Sequence, residues 1–161
     1  MGEKKDKKTL QGQIQFVWGH ICSLSSIDQE RNNISLFNVI EQINVPADAF
    51  EMNKKENKPV LFPLQHEILL LFRRAIDPAL TQEQFTSVDM KVSLVDPLGA
   101  QLVENLIPMK FPNSKRYRYR LQNPGFLITK PGDYVYRIQL REQHQESFGQ
   151  PHEIPIEVKS R

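Results

Sequence analysis

Cysteine is nearly absent from this chain: Cys22 is the only one in 161 residues. A lone thiol can build neither an internal disulfide nor a thiolate metal cage. Set between Ile21 and Leu24, it reads as a small buried hydrophobe in a protein of a reducing, cytoplasmic compartment. Long apolar runs are missing too. No stretch approaches the roughly 18 consecutive apolar residues of a membrane-spanning helix, so no membrane role is expected. The start, Met1-Gly2-Glu3-Lys4-Lys5-Asp6-Lys7-Lys8, lacks the apolar segment of a signal peptide. Met1-Gly2 is a poor myristoylation signal because Asp6 stands where Ser or Thr is wanted. A global excess of one charge is also lacking. Taking the leader's four Lys, one Glu and one Asp from the 21 basic and 19 acidic residues leaves 17 of each. A balanced body gives no electrostatic case for nucleic acid or an anionic membrane.

What is present is strand sequence. Ile14-Gln15-Phe16-Val17-Trp18-Gly19-His20-Ile21-Cys22-Ser23-Leu24 and Ile34-Ser35-Leu36-Phe37-Asn38-Val39-Ile40-Glu41-Gln42-Ile43 flank the polar run Asp28–Asn33, the pattern of a long β-hairpin. With the turn between Glu30 and Arg31, Cys22 opposes Val39 and Leu24 opposes Phe37. Strict alternation then puts Trp18, Cys22, Leu24, Phe37, Val39 and Ile43 on the buried face, with His20 against Glu41 among them. Gly19, Ile21 and Ile40 fall on the opposite face.

Pro46 closes that hairpin, and residues 47–58 form a polar loop in which Ala47–Met52 makes one helical turn. Val60–Arg74 follows, bent near Pro63, with Ile68–Phe72 suited to a strand covered on both faces. Asp77-Pro78 breaks it, and Thr81–Gln84 suits a short turn of helix. Val88, Met90, Val92 and Leu94 alternate up to a turn at Asp96-Pro97-Leu98-Gly99, and Gln101–Ile107 returns. Lys115–Leu121 places Arg116, Arg118 and Arg120 on one face and Tyr117, Tyr119 and Leu121 on the other. After Pro131-Gly132, Tyr134, Tyr136, Ile138 and Leu140 alternate, and a last strand spans His152–Val158. About eight strands, with turn signals every roughly 8–15 residues, predict an antiparallel β-sandwich. Residues 1–12 are read as a disordered Lys-rich leader and 13–159 as a single domain.

Trp18-Gly19-His20, Asn33–Ile43, Asp96-Pro97-Leu98-Gly99 and Pro131-Gly132-Asp133-Tyr134-Val135-Tyr136 together resemble a family of uncharacterised bacterial proteins. That family has a Phe-Ala-Asp motif, then Gly-Lys-Leu-x-Leu-Ile-Gly-Ile-Phe-Asp. His20 departs from its Asp and Asn38 from its Gly. The resemblance implies a β-sandwich and carries no activity, cofactor or catalytic residue. Separately, Gly132–Tyr136 is similar to the tyrosine-corner strand of immunoglobulin-like sandwiches, with Tyr136 where a disulfide cysteine would stand. The fold class is therefore read as all-β, immunoglobulin-like or C2-like.

Three constellations carry chemistry. His20 beside Glu41 could make a tuned base, but the favoured reading is a buried polar pair that fixes the hairpin register. His144 and His152, with Glu142, Glu146 and Glu153 nearby, could form a weak surface metal site. Solvated loop residues explain them more simply, and Asp28, Asp77, Asp96 and Asp133 are too scattered for a calcium site. The row Arg116, Arg118 and Arg120 is the nucleic-acid candidate, although alternation turns Tyr117 and Tyr119 away from it. Trp18, on the buried face, is not offered as a sugar-stacking ring. Phosphate loops, hydrolase elbows and metalloprotease signatures are absent. The reading is a non-catalytic interaction module, without cofactor, that binds a protein partner or itself through edge strands. The candidate edges are the strand after Pro59 and the strand holding Pro155. A nucleic-acid-binding protein using Arg116, Arg118 and Arg120 is the first alternative, and an enzyme centred on His20 and Glu41 the second.

Overall fold

In the computed structural model the described residues are 13–75 and 85–161. The leader, the Asp77-Pro78 break and the turn of helix expected at Thr81–Gln84 lie outside them. The chain is all-β. Its elements are β1 (Ile14–Asp28), β2 (Asn33–Val39), β3 (Gln42–Val45), α1 (Ala47–Glu56), β4 (Val60–Phe62) and β5 (His66–Arg74). Then come β6 (Phe85–Val95), β7 (Gln101–Pro112), β8 (Arg116–Asn123), β9 (Phe126–Ile128), β10 (Gly132–Glu142) and β11 (His152–Ser160). One sheet runs β2-β1-β5-β8, a second β3-β11-β10-β6-β7, and β4 and β9 form a ribbon. The two larger sheets share one core, in which Ile21, Ile68, Leu70 and Phe72 join Met90, Leu94, Tyr134, Ile138 and Ile156.

The hairpin register is as expected, with Cys22 opposite Val39 and Leu24 opposite Phe37, and Cys22 and Ile43 are buried as read, but Leu24, Phe37 and Val39 are exposed. The cause is a bulge between Phe16 and Trp18, where the β1–β5 register slips by one residue. An extra residue re-phases the alternation, so Phe16 faces the core before the bulge and Gly19 and Ile21 face it afterwards. Gly19 is needed there: a Cβ at this position would lie 2.5 Å from Ile154 Cδ1 and 3.0 Å from Leu70 Cδ2. Trp18 is thereby turned to the outer face, while Leu24, Phe37 and Val39 are 50–55% exposed.

A second correction concerns the end of the hairpin. The chain leaves the first sheet after Ile40, whose N–H still bonds the Ile21 carbonyl at 2.8 Å. β3 then pairs in parallel with β11, from Gln42 opposite Glu157 to Val45 opposite Ser160. The β11 strand is therefore internal, not the edge expected from Pro155. Proline is tolerated because the β3 ladder begins only at Glu157, which leaves that flank of Pro155 unpaired. The strand after Pro59 ends at Phe62 and pairs only with β9. The helical turn at Ala47 grows to the ten residues of α1, which buries Phe50 and ends on Asn57 in the left-handed region. With so little of α1 apolar, it carries no helical stripe to read.

Two polar devices hold the sheets. The Tyr134 hydroxyl donates to the Lys130 carbonyl at 2.7 Å and accepts the N–H groups of Thr129 and Lys130 at 2.8 and 3.1 Å, the geometry of a tyrosine corner. His66 on β5 reaches across to Tyr136 on β10: Nδ1 donates to the Leu64 carbonyl at 2.9 Å, and Nε2 accepts the Tyr136 hydroxyl at 3.0 Å. Burial pushes the His66 imidazole below its ordinary 6.5, although the Leu64 carbonyl opposes the shift. The ring is thus neutral, as an acceptor Nε2 requires.

Candidate interaction surface

The β1–β2 hairpin outruns its neighbour. Pairing with β5 stops at Cys22 opposite Glu67, so residues beyond it pair only with β2, down to Asp28 opposite Asn33. Asp28 Oδ1 caps the turn by accepting the N–H groups of Glu30 and Arg31 at 3.0 and 3.2 Å. Asn32 takes a positive φ of 53°, a conformation that Asn tolerates better than most residues.

This overhanging arm curls across the outer face of its own sheet. β2 and β8 are opposite edges of that sheet, yet Arg118 on β8 donates to Asn32 Oδ1 at 2.9 Å and to the Asn32 carbonyl at 2.6 Å. A second tie lies nearer the root, where Ser25 Oγ donates to Glu67 Oε2 at 2.5 Å and Gln122 Nε2 to Glu67 Oε1 at 3.3 Å. Burial pushes the Glu67 carboxyl up, but these hydrogen bonds and the charge of Arg120 outweigh it and hold the group below its usual range. At the root of the arm, Cys22, Leu69 and Leu71 are buried. This explains why the Ile68–Phe72 run is apolar on both faces. Burial, then the charge of Glu67, raise the Cys22 thiol, so it stays protonated and inert.

The arm's outward side is apolar. Leu24 and Phe37 are cross-strand partners, and Val39 continues the row opposite Cys22. Val39 also lines a cleft of about 340 Å³ with His20, Glu41, Asp133, Ile154 and Glu157, at the place where the chain passes from one sheet to the other. Trp18 lies beside it, its ring 5.1 Å from that of His20.

The His20–Glu41 pair is corrected here. Both residues are exposed, and β2 has ended before Glu41, so they share a cleft and not a buried cross-strand contact. The arginine row is divided: Arg116 and Arg120 are exposed, whereas Arg118 is spent on the arm. Tyr117 and Tyr119 turn inward and pack against the core. Among the described residues no group of three or more His, Cys, Asp or Glu could hold a metal ion. Glu153 instead bonds Arg137 at 3.0 Å, and His152 stacks on Phe16 at 4.5 Å. No described helix is long and apolar enough to cross a membrane.

The sheet edges differ in how they are guarded. β7 carries Glu104, Pro108 and Lys110, and β8 carries its three arginines. β3 has four residues. β2 is an edge of seven residues, Asn33-Ile34-Ser35-Leu36-Phe37-Asn38-Val39, with no charge and no proline. Sequence reasoning missed His66 and Glu67, and it took Glu142 only as a potential surface ligand. For the first two a signal existed, a polar pair heading an apolar strand that has no solvent-facing side.

No family model and no curated protein matches the chain. Among solved structures, it is similar to the C-terminal domain of wzt, at a TM-score of 0.53 and 12% identity over 92% of this chain and 75% of that one. The structural-genomics target SoR45 aligns at a TM-score of 0.32 and 12% identity, over 60% of this chain and 78% of the other. At such identity the first likeness bears on the fold alone.

Proposed function

We propose that this chain is a non-catalytic interaction module that binds a protein partner through the β2 edge and the adjoining apolar face. The observation that carries the proposal is the contrast between edges. Exposed strand edges are normally blunted by charge, proline or brevity. β2 alone among the four outer strands of the two sheets has none of these, and Leu24, Phe37 and Val39 stand exposed beside it. An added strand would gain main-chain hydrogen bonds from the edge and specificity from these side chains.

The framework belongs to the same proposal: an immunoglobulin-like β-sandwich. The orders β1-β5-β8 and β7-β6-β10-β11, with a tyrosine corner at the start of β10, support that topology over a C2-like one. The His66–Tyr136 hydrogen bond links the two strands that a disulfide joins in antibody domains. A single buried, unreactive cysteine supports a cytoplasmic setting. The hairpin is also where the chain resembles the uncharacterised bacterial family, which keeps that kinship within the proposal.

The test compares the wild-type chain with Leu24→Lys/Phe37→Lys as bait in affinity capture, alongside sedimentation of each alone. Both substitutions are on solvent, so the melting temperature should hold, with a cost within about 0.5 kcal/mol each. A partner, or a second copy, retained by the wild type and lost from the variant supports the proposal. Equal retention by both, or by neither, refutes it.

A further inference from the structure

Away from the arm, the start of β1 and the end of β10 border an open pocket of about 450 Å³ lined by Ile14, Phe16, Leu140, Glu142, Gln150 and His152, among others. Glu142 is 3% exposed. Its Oε2 accepts the Ile14 N–H at a long 3.4 Å, and its Oε1 is buried without a hydrogen-bond partner among the described residues.

The terminal nitrogens of both nearby guanidinium groups are engaged elsewhere, although Arg74 Nε is buried without a partner among the described residues. Arg74 donates through Nη1 to Thr86 at 2.7 Å and Gln13 at 3.4 Å, and through Nη2 to the carbonyls of Pro112 at 2.8 Å and Phe111 at 3.4 Å. Arg141 bonds Asp89 at 2.8 Å. A buried carboxylate oxygen left unpaired is rare and calls for a physical reason.

We propose that this pocket binds an organic cation, an alkyl ammonium or guanidinium group on a short apolar stem, with Glu142 Oε1 as the acceptor. The site chemistry selects this class. An ionised carboxylate only accepts, and its hydrogen bond to a cation is about twice as strong as one to a neutral donor. Ile14, Phe16 and Leu140 offer apolar contact for the stem. Phe16, its ring stacked on His152 at 16°, adds an aromatic wall to the pocket. Gln145 spends its Oε1 on the Glu142 N–H at 2.9 Å, leaving Gln150 at the mouth to accept a remaining N–H.

Burial raises the Glu142 carboxyl, against the Ile14 N–H, His144, the Gln13 N–H and Arg74, which lower it. A cation at Oε1 offsets the effect of burial and favours the ionised form. His152 lines the same pocket, its imidazole pushed below the ordinary 6.5 by burial, and its protonation in acid should weaken binding.

The probe is n-butylguanidinium, with n-butanol and glycerol as neutral controls, titrated into the full chain and followed by amide NMR. Saturable shifts at Ile14, Gln150 and His152 are expected for the cation and not for the controls. Glu142→Gln should weaken binding by roughly tenfold or more. Gln150→Lys, at an exposed position, places a tethered ammonium at the mouth. It should raise the melting temperature and exclude the probe, which tests the idea even if Glu142→Gln does not fold. Absence of saturation, equal binding of a neutral control, or unaltered affinity in the variants would overturn the site.

Discussion

Replacing Tyr136 with Phe removes one oxygen from the core and keeps the ring, so no cavity opens. His66 is 0% exposed and Tyr136 5%, and the lost hydroxyl is the donor to His66 Nε2 at 3.0 Å. Water does not replace it, and a buried acceptor left unpaired costs about 1–3 kcal/mol. For a chain of this size that lowers the melting temperature by roughly 2–4 °C per kcal/mol. Urea unfolding followed by circular dichroism reads the loss as a lower midpoint at unchanged slope. His66→Leu strands the Tyr136 hydroxyl in the same way, so the double variant should lose less than the two single losses added together. A coupling of at least about 0.5 kcal/mol is expected between contacting partners. A Tyr136→Phe chain within about 0.5 kcal/mol of wild type, or strict additivity in the cycle, would refute the inter-sheet link.

Acid should weaken the fold through the same residue. The unfolded chain protonates His66 below 6.5 while the buried ring stays neutral, so stability falls as pH drops from 6.5 towards the native value. The slope approaches about 1.4 kcal/mol per pH unit and should flatten in His66→Leu, as pH-dependent unfolding can show. Glu142, raised above its ordinary 4.5, acts with the opposite sign as its native carboxyl protonates, whereas Glu67, held low, loses its contribution only below about 4.5. Ser25→Ala should free the arm at a cost of about 1–2 kcal/mol, read as faster labelling of Cys22 by a thiol reagent under native conditions. An unchanged labelling rate would show that the Ser25–Glu67 bond does not hold the arm down. Gly19→Val should destabilise by about 1–3 kcal/mol because Ile154 and Leu70 already occupy the space. A neutral result in thermal unfolding would mean that the sheets do not approach there.

The strands were legible where local chemistry is decisive. Asp96-Pro97-Leu98-Gly99 closes its hairpin as read: the Asp96 carbonyl takes the Gly99 N–H at 2.9 Å, and Asp96 Oδ1 takes those of Leu98 and Ala100 at 2.9 and 2.8 Å. Gly99 sits at φ 85°, where its lack of a side chain is used. The inward Tyr117 and Tyr119 followed from simple alternation. The exposure of Leu24, Phe37 and Val39 did not, because a single bulged residue at Val17 re-phases the strand while leaving composition untouched. The passage of the chain between sheets after Ile40 was equally silent, since Gln42–Val45 reads as a strand in either sheet. Its consequence was large: His20 and Glu41 moved from a core pair to the rim of a cleft. Glu142 was noticed only as a potential surface ligand. Nothing in a polar turn signals that its carboxylate folds inward under Ile14.

The central claim is that the β2 edge and its apolar side are the face that meets a partner. A photo-crosslinking residue placed at position 37 in the full chain, and separately at position 116 on the guarded β8 edge, tests it in the native cell. The expected result is a discrete crosslinked species from position 37 and none from position 116. Crosslinks from position 116 alone would contradict the claim.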